Sequence, residues 1–150
     1  MGKAASFATY NRRVRYLGVD PGGRRLGLAV ADDAGDVASP FAVVAYGGVA
    51  AAARMIAETA DEVGAARVVI GLPTLEDGSE APGGRRSRLL AEALYALGVE
   101  VDLQSEFLTT AEARRRARDA GRRPECAIDD IAAQVILEEF LEGRRTAPGA

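Results

Sequence analysis

Residues 16–32 read YLGVDPGGRRLGLAVAD, and they give the clearest indication of the fold. It joins two β-prone runs, residues 14–20 and 26–32, through a Pro-Gly-Gly turn signal. The turn is short enough for the two strands to pair as a hairpin. A third strand over residues 36–44 is interrupted by Pro40, which predicts that part of it lies at a sheet edge.

Downstream of these strands, helical and strand patterns alternate. The predicted elements are a helix over 49–63 stopped by Gly64, a strand over 65–73, a helix over 85–97 closed by Gly98, and a strand over 99–104.

The C-terminal part predicts two more helices. One begins just after Thr109, where Thr-Thr-Ala-Glu forms a capping box, and the other opens near Pro124 and runs to Leu141. This order predicts one α/β domain with a mixed five-stranded sheet flanked by helices. We expect the domain to span residues 14–142, between tails at 1–13 and 143–150.

The composition is that of a folded domain, with 150 residues of which 48% are hydrophobic and 27% charged. No apolar run is long enough for a transmembrane helix, so we expect no membrane association and a cytoplasmic location. The single cysteine, Cys126, rules out an internal disulfide and fits a reducing compartment.

The chain contains no histidine, which excludes several kinds of catalytic site. Ser-His-Asp and Cys-His catalysis, imidazole general bases and the usual zinc sites all need it. The only lysine, Lys3, lies in a predicted tail, so P-loop and Schiff-base chemistry lack their key residue. Carboxylates that bind a hard divalent cation remain as the natural candidate.

Basic residues are concentrated in clusters, although the net charge is only −3. Arginine is suited to bidentate phosphate contacts, and the candidates for such contacts are Arg24, Arg25, Arg85, Arg114, Arg115, Arg118, Arg122 and Arg123. A solvated helix face in an arginine-rich protein explains the same clusters equally well.

Three acidic residues stand where they could share a metal. Asp20 ends the first strand, where open α/β sheets usually bind ligands, although Asp-Pro-Gly is also ordinary turn chemistry. Glu106 is predicted in the loop after the strand over 99–104, where an isolated glutamate is usually only solvated. Asp129 lies within the apolar stripe of the last helix, where a buried carboxylate needs a partner, unless it caps the helix instead. Asp130, at the edge of that stripe, is a candidate secondary ligand.

Convergence of these carboxylates would require a cation. Two carboxylates about 4 Å apart repel by about 4 kcal/mol at an effective dielectric of about 20. Mg²⁺ or Mn²⁺ would turn them into an oxygen-only site, and two such ions can activate water and stabilise the leaving oxygen of a phosphodiester. That chemistry needs no histidine.

Four motifs in order resemble the YqgF (RuvX-like) family of ribonuclease-H-fold nucleases, described as pre-16S rRNA nucleases or Holliday-junction-resolvase-like proteins. They are residues 16–32, VVIGLPTLEDGSEAPGGRRSRLLAEAL (68–94), SEFLTTAEA (105–113) and AIDDIAAQVILEEFLEG (127–143). The resemblance implies a ribonuclease-H-like fold, divalent-metal nuclease activity, and catalytic acids at Asp20, Glu106 and Asp129.

The chain departs from the family pattern at three positions near the proposed site. Ser105 and Phe107 flank the glutamate where the family usually has an acid and a basic residue, and Leu75 replaces a typical asparagine. We expect Phe107 to pack on the core rather than to stack on a base.

The leading hypothesis is a nuclease that uses Mg²⁺ or Mn²⁺ and acts on structured RNA, with 5′-end processing of pre-16S rRNA as its role. Cleavage of branched DNA, as by a Holliday junction resolvase, is the alternative. A catalytically silent nucleic-acid-binding module is an alternative of another class, and a sugar-kinase-like ATPase would need two such domains. Both monomer and homodimer stay open.

Overall fold

The computed structural model describes residues 14–33, 38–107 and 128–146, with side chains described at 14–33, 38–107 and 131–144. Its sheet has five strands in the order β3-β2-β1-β4-β5. They are β1 (Arg15–Asp20), β2 (Arg25–Asp32), β3 (Ser39–Ala45), β4 (Ala65–Thr74) and β5 (Val101–Phe107). β1, β2 and β3 pair antiparallel, whereas β4 pairs parallel with both β1 and β5.

Within the described ranges, three helices cover the two faces of this mixed sheet: α1 (Val49–Val63), α2 (Gly84–Ala96) and α3 (Ile128–Thr146). One core lies between the sheet and α1 with α2, where Leu17, Ile56 and Leu90 are fully buried. The other lies under α3, where Tyr16 packs with Leu137. The alternation of side chains along β1 divides its residues between these two cores.

Two glycines allow α3 to lie directly on the sheet. A Cβ at Gly18 of β1 would lie 3.0 Å from the carbonyl oxygen of Ala133 and 3.1 Å from the Cβ of Leu137. A Cβ at Gly71 of β4 would overlap the Cδ1 of Ile136. The two central strands, β1 and β4, therefore present glycines to α3, and the helix lies close to their backbone.

The structure confirms the predicted fold class and most of the elements. β3, with Pro40, lies at the sheet edge, and α1 ends at Gly64, which adopts the left-handed conformation with φ 71°. None of the helices in the described ranges is both long and apolar enough to cross a membrane.

Two predicted boundaries were wrong. β5 runs over Val101–Phe107, so Glu106 lies inside the strand and not in the loop after it. The reason is the parallel pairing with β4, which continues as far as Thr74 and Phe107. The last helix continues past Leu141 to Thr146, since Gly143 does not interrupt it. The capping box at Thr109 lies outside the described residues.

Candidate active site

Asp20 is the last residue of β1 and is buried, with 2% of its surface exposed. Gly18, two residues earlier, lies against α3. Because residues i and i+2 of a strand share a face, Asp20 belongs to the α3 face of the sheet. A carboxylate this deeply buried requires compensating interactions, and the structure gives it at least one.

Glu106 reaches towards the same place from β5. The ladder between β1 and β4 pairs Val19 with Ile70, so Asp20 and Gly71 are the next residues along these two parallel strands. A Cβ built on Gly71 would lie only 3.3 Å from Oε2 of Glu106. The carboxylate of Glu106 therefore lies over the strand position beside Asp20, and the two acids converge at the carboxyl edge of the sheet.

Glycine backbone packs closely against both carboxylates. A Cβ at Gly22 would lie 3.0 Å from Oδ2 of Asp20, and one at Gly71 would lie 3.3 Å from Oε2 of Glu106 while overlapping Ile136. A side chain at either position would therefore crowd a carboxylate. The donors that the two acids offer are carboxylate oxygens, which are ligands that Mg²⁺ and Mn²⁺ accept.

The candidate ligands Asp129 and Asp130 lie in the first described turn of α3, and their side chains are outside the described set. The course of the helix is nevertheless clear from its neighbours. Phe140 packs on Tyr16 near the start of β1, with ring centroids 5.9 Å apart, and Ala133 lies by Gly18 further along that strand. α3 thus runs antiparallel to β1, and its first turn approaches the end of the strand that carries Asp20.

Among the described side chains, no three Asp, Glu, Cys or His residues lie close enough together to hold a metal ion. The described part of the site is therefore the pair Asp20 and Glu106.

Glu139 of α3 is an acidic neighbour that the sequence reasoning missed. Glu139 is an exposed residue, but the partial burial of its carboxyl raises its pKa above the ordinary value, and the negative charge of Glu106 raises that pKa further. The spacing of three residues from the core residue Ile136 could have indicated that Glu139 lies at the edge of the packed face.

The arginines proposed for phosphate contact differ in exposure. Arg24, in the turn after β1, and Arg85, in the first turn of α2, are exposed. Arg25, the first residue of β2, is only 9% exposed and has its own interactions in the fold. The remaining candidates, Arg114, Arg115, Arg118, Arg122 and Arg123, lie outside the described residues.

The three departures from the family pattern are all near this edge. Phe107 is 69% exposed, so the expectation that it packs on the core was wrong. It is the last residue of β5, and its side chain points away from the face that Glu106 shares with α3. Ser105 is also exposed, and Leu75 is half-buried in the loop after β4, where its backbone N–H donates to the carbonyl oxygen of Ser79 at 2.7 Å.

Comparison with known proteins supports the motif assignment. The family model described as "RuvX: Holliday junction resolvase" matches residues 14–143. A protein of Anaeromyxobacter sp. (strain Fw109-5) named "Putative pre-16S rRNA nuclease" is 43% identical over 135 residues, covering 87% of this chain and 98% of the relative. A protein of the same name from Myxococcus xanthus (strain DK1622) is 38% identical over 137 residues, covering 88% and 90%.

The fold has a counterpart among solved structures. The RuvC of Thermus thermophilus superposes with a TM-score of 0.50 at 15% sequence identity, covering 88% of this chain and 96% of that one. This likeness concerns the fold, and it confirms the predicted ribonuclease-H-like architecture. The family match over residues 14–143 and the identity of 43% with a relative over 98% of its length show that this chain belongs to the RuvX family, whose family model is described as a Holliday junction resolvase.

Proposed function

We propose that this protein is a divalent-metal-dependent nuclease that hydrolyses phosphodiester bonds of structured nucleic acid at the carboxyl edge of its sheet. The observation that carries the proposal is the convergence of Asp20 and Glu106 over Gly71, because the fold brings together two acids that are far apart in the sequence. The names of the relatives and of the family model agree with this class of reaction.

Asp20, Glu106 and Asp129 are the proposed metal ligands, with Asp130 as a secondary one. Support for Asp129 comes from the antiparallel course of α3, which directs its first turn towards the end of β1. Three carboxylates in one small space repel one another strongly unless cations neutralise them. The donor set contains only oxygen, which favours Mg²⁺ or Mn²⁺ over softer metals.

The residues of the chain have separate tasks in the proposed reaction. When bound, the cations would lower the pKa of an attacking water and neutralise charge on the leaving oxygen. Asp20, at its buried strand end, would fix the reacting position, and Glu106 would add a second carboxylate from β5, on the other side of β4. The glycines at 22 and 71 let the backbone lie close to the two carboxylates without crowding them.

Exposed arginines around the site would hold the substrate by its phosphates. Arg24 is exposed in the turn that follows Asp20, and Arg85 is exposed in the first turn of α2. Further contacts in this proposal come from the arginines between residues 114 and 123, namely Arg114, Arg115, Arg118, Arg122 and Arg123. Arg25 is buried, so it would meet a phosphate only within the site.

The proposed physiological substrate is the precursor of 16S rRNA, processed at its 5′ end in the cytoplasm, because the curated relatives carry that name. Branched DNA is the second candidate, since the description of the family model is that of a Holliday junction resolvase. The protein would act as a monomer or as a homodimer.

A cleavage experiment tests the proposal. Wild-type protein and the variants Asp20→Asn, Glu106→Gln and Asp129→Asn are incubated with structured precursor RNA and with four-way DNA junctions, in Mg²⁺, Mn²⁺ or EDTA. Asp61→Asn, on the exposed face of α1, is the matched control. We expect cleavage that EDTA abolishes, that each site variant lowers by at least about 100-fold, and that the control retains.

The substrate that the wild-type protein cleaves faster, the precursor RNA or the four-way DNA junction, decides between the two candidates. Cleavage that persists in EDTA or in all three site variants would disprove the metal mechanism. Salt-dependent binding without cleavage in any divalent cation would instead identify a silent binding module.

A further inference from the structure

Arg86 of α2 reaches across to the turn that follows Asp20. Its Nη1 donates a hydrogen bond to the carbonyl oxygen of Gly23. The same guanidinium lies over the ring of Tyr46, with Cζ 4.3 Å from the ring centroid. Both side chains are half-buried, so these contacts are partly shielded from water.

A second contact holds the same turn from the other side. The backbone N–H of Tyr46 donates to the carbonyl oxygen of Arg24 at 2.8 Å. Two consecutive carbonyl groups of the turn are thus bound by two different parts of the chain, α2 and the segment after β3. Tyr46 links the two, since its backbone binds the turn and its ring supports Arg86.

Beyond Pro21, which is buried, the turn has little side-chain packing of its own. Gly22 and Gly23 have no side chains, and Gly23 adopts φ 112°, a conformation that glycine tolerates well. Yet this turn directly continues the strand that ends in Asp20, and Gly22 faces Oδ2 of that residue. Contacts from outside the turn therefore help to fix the backbone that continues from Asp20.

The position of Arg86 is otherwise unfavourable. It lies in the first turn of α2, where the helix dipole disfavours a cation and where the helix has no acidic residue of its own. The contacts with Gly23 and Tyr46 supply the compensation. The planar guanidinium suits them because it donates in its plane while its face stacks on the ring.

We propose that Arg86, supported by Tyr46, is a positioning residue that fixes the turn after β1 and thereby sets the carboxylate of Asp20 for divalent-cation binding. This inference rests on the proposed function. It separates Arg86 from Arg24 and Arg85, whose exposed side chains serve the phosphates of the substrate in that proposal.

The test compares Arg86→Ala, Arg86→Lys and Tyr46→Leu with the wild type. Arg88→Ala is the matched control, because Arg88 carries the same charge on the same helix but pairs with Glu80. Three properties are measured: Mn²⁺ binding by calorimetry, hydrogen exchange of the Gly23 and Tyr46 amides without metal, and the steady-state kinetics of cleavage. Thermal unfolding confirms that each variant is folded.

We expect Arg86→Ala to weaken Mn²⁺ binding by about 10-fold, as loss of an orienting group outside the ligand set typically does. Exchange of the two amides should accelerate by about 10-fold, since the opening of the turn becomes easier. Arg86→Lys should restore part of both effects, because lysine can still donate to Gly23 but stacks less well. Tyr46→Leu should shift both properties in the same direction, and Arg88→Ala should change neither by more than about two-fold.

The substrate kinetics separate positioning from phosphate contact. For a positioning residue, KM for the nucleic acid and its salt dependence stay within about two-fold of the wild type at saturating Mn²⁺. A raised KM with a weaker salt dependence and unaltered Mn²⁺ binding would make Arg86 a phosphate contact and overturn the inference.

Unaltered Mn²⁺ binding together with unaltered amide exchange would also overturn it. If Arg86→Ala does not fold, the Arg86→Lys and Tyr46→Leu variants decide by the same criteria. A wild-type protein that binds no Mn²⁺ would refute the proposed function itself, whereas the exchange measurement, which needs no metal, still shows whether Arg86 holds the turn.

Discussion

Among single residues, the glycines of the candidate site matter as much as its acids. Gly71 separates the strands of Asp20 and Glu106, and it is the point where Ile136 of α3 touches the sheet. A single methyl group at this position would meet both the core and the carboxylate.

Gly71→Ala should therefore destabilise the protein and impair the site together. The added Cβ overlaps Ile136 and crowds Glu106, and overpacking of this kind costs about 1–3 kcal/mol of unfolding free energy. Urea denaturation measures the loss, and Mn²⁺ binding reports on the displaced carboxylate. Gly143→Ala is the control, because a Cβ there meets nothing within 4 Å and alanine should stabilise α3 by up to about 1 kcal/mol. Equal stability of Gly71→Ala and the wild type would contradict the packing described.

Glu139 gives the protein a pH dependence of definite sign. Burial, and then the charge of Glu106, raise the pKa of Glu139 in the folded state above the ordinary value. The folded protein therefore binds this proton more tightly than the unfolded chain, so the carboxylate destabilises the fold once the pH rises through its folded pKa.

Glu139→Gln should accordingly raise the unfolding free energy at neutral pH, and the gain should vanish at a pH below the ordinary pKa of glutamate. The pKa of Glu139, measured by carboxyl-carbon NMR titration without divalent cations, should fall in Glu106→Gln and yet stay above the ordinary value, since burial is the larger cause. A pKa that does not respond to Glu106→Gln would show that the two carboxylates do not interact.

At the scale of the elements, local signals predicted the fold where a local rule decides a boundary. The helix over Val49–Val63 ends at Gly64 because only this residue of the segment adopts the left-handed conformation without strain. β5 shows the opposite case. Its alternating pattern predicted that a strand is present. The end of the strand at Phe107 is set by pairing with β4, and the local sequence carries no information on a partner strand.

Gly64→Ala should lower the free energy of unfolding and leave the nuclease activity of the folded protein unchanged. The left-handed conformation of this residue costs alanine about 1 kcal/mol, so the unfolding free energy should fall by that amount. Gly64 precedes the first residue of β4 and lies at the end of that strand opposite to Gly71. Nuclease activity below the unfolding temperature should stay at the wild-type level, and a loss of activity that exceeds the unfolded fraction would contradict this separation.

At the scale of the whole molecule, the topology makes the site. Because β1, β4 and β5 are parallel, their carboxyl ends meet at one edge and bring Asp20 and Glu106 together. The sequence allowed both acids to be predicted from their strand ends. It could not reveal that the charge of Glu106 acts on Glu139 or that Arg86 binds the turn, because these interactions arise only when α2 and α3 pack on the sheet.

In the mechanism that we propose, acids from separate strands and from α3 hold divalent cations at this edge. The anomalous difference map of a crystal of the protein soaked in Mn²⁺ would locate these cations. We expect a peak in contact with the carboxylates of both Asp20 and Glu106, with Asp129 as a further ligand, and the loss of this peak in Asp20→Asn. A map in which Mn²⁺ binds elsewhere, or leaves these two carboxylates untouched, would contradict this mechanism.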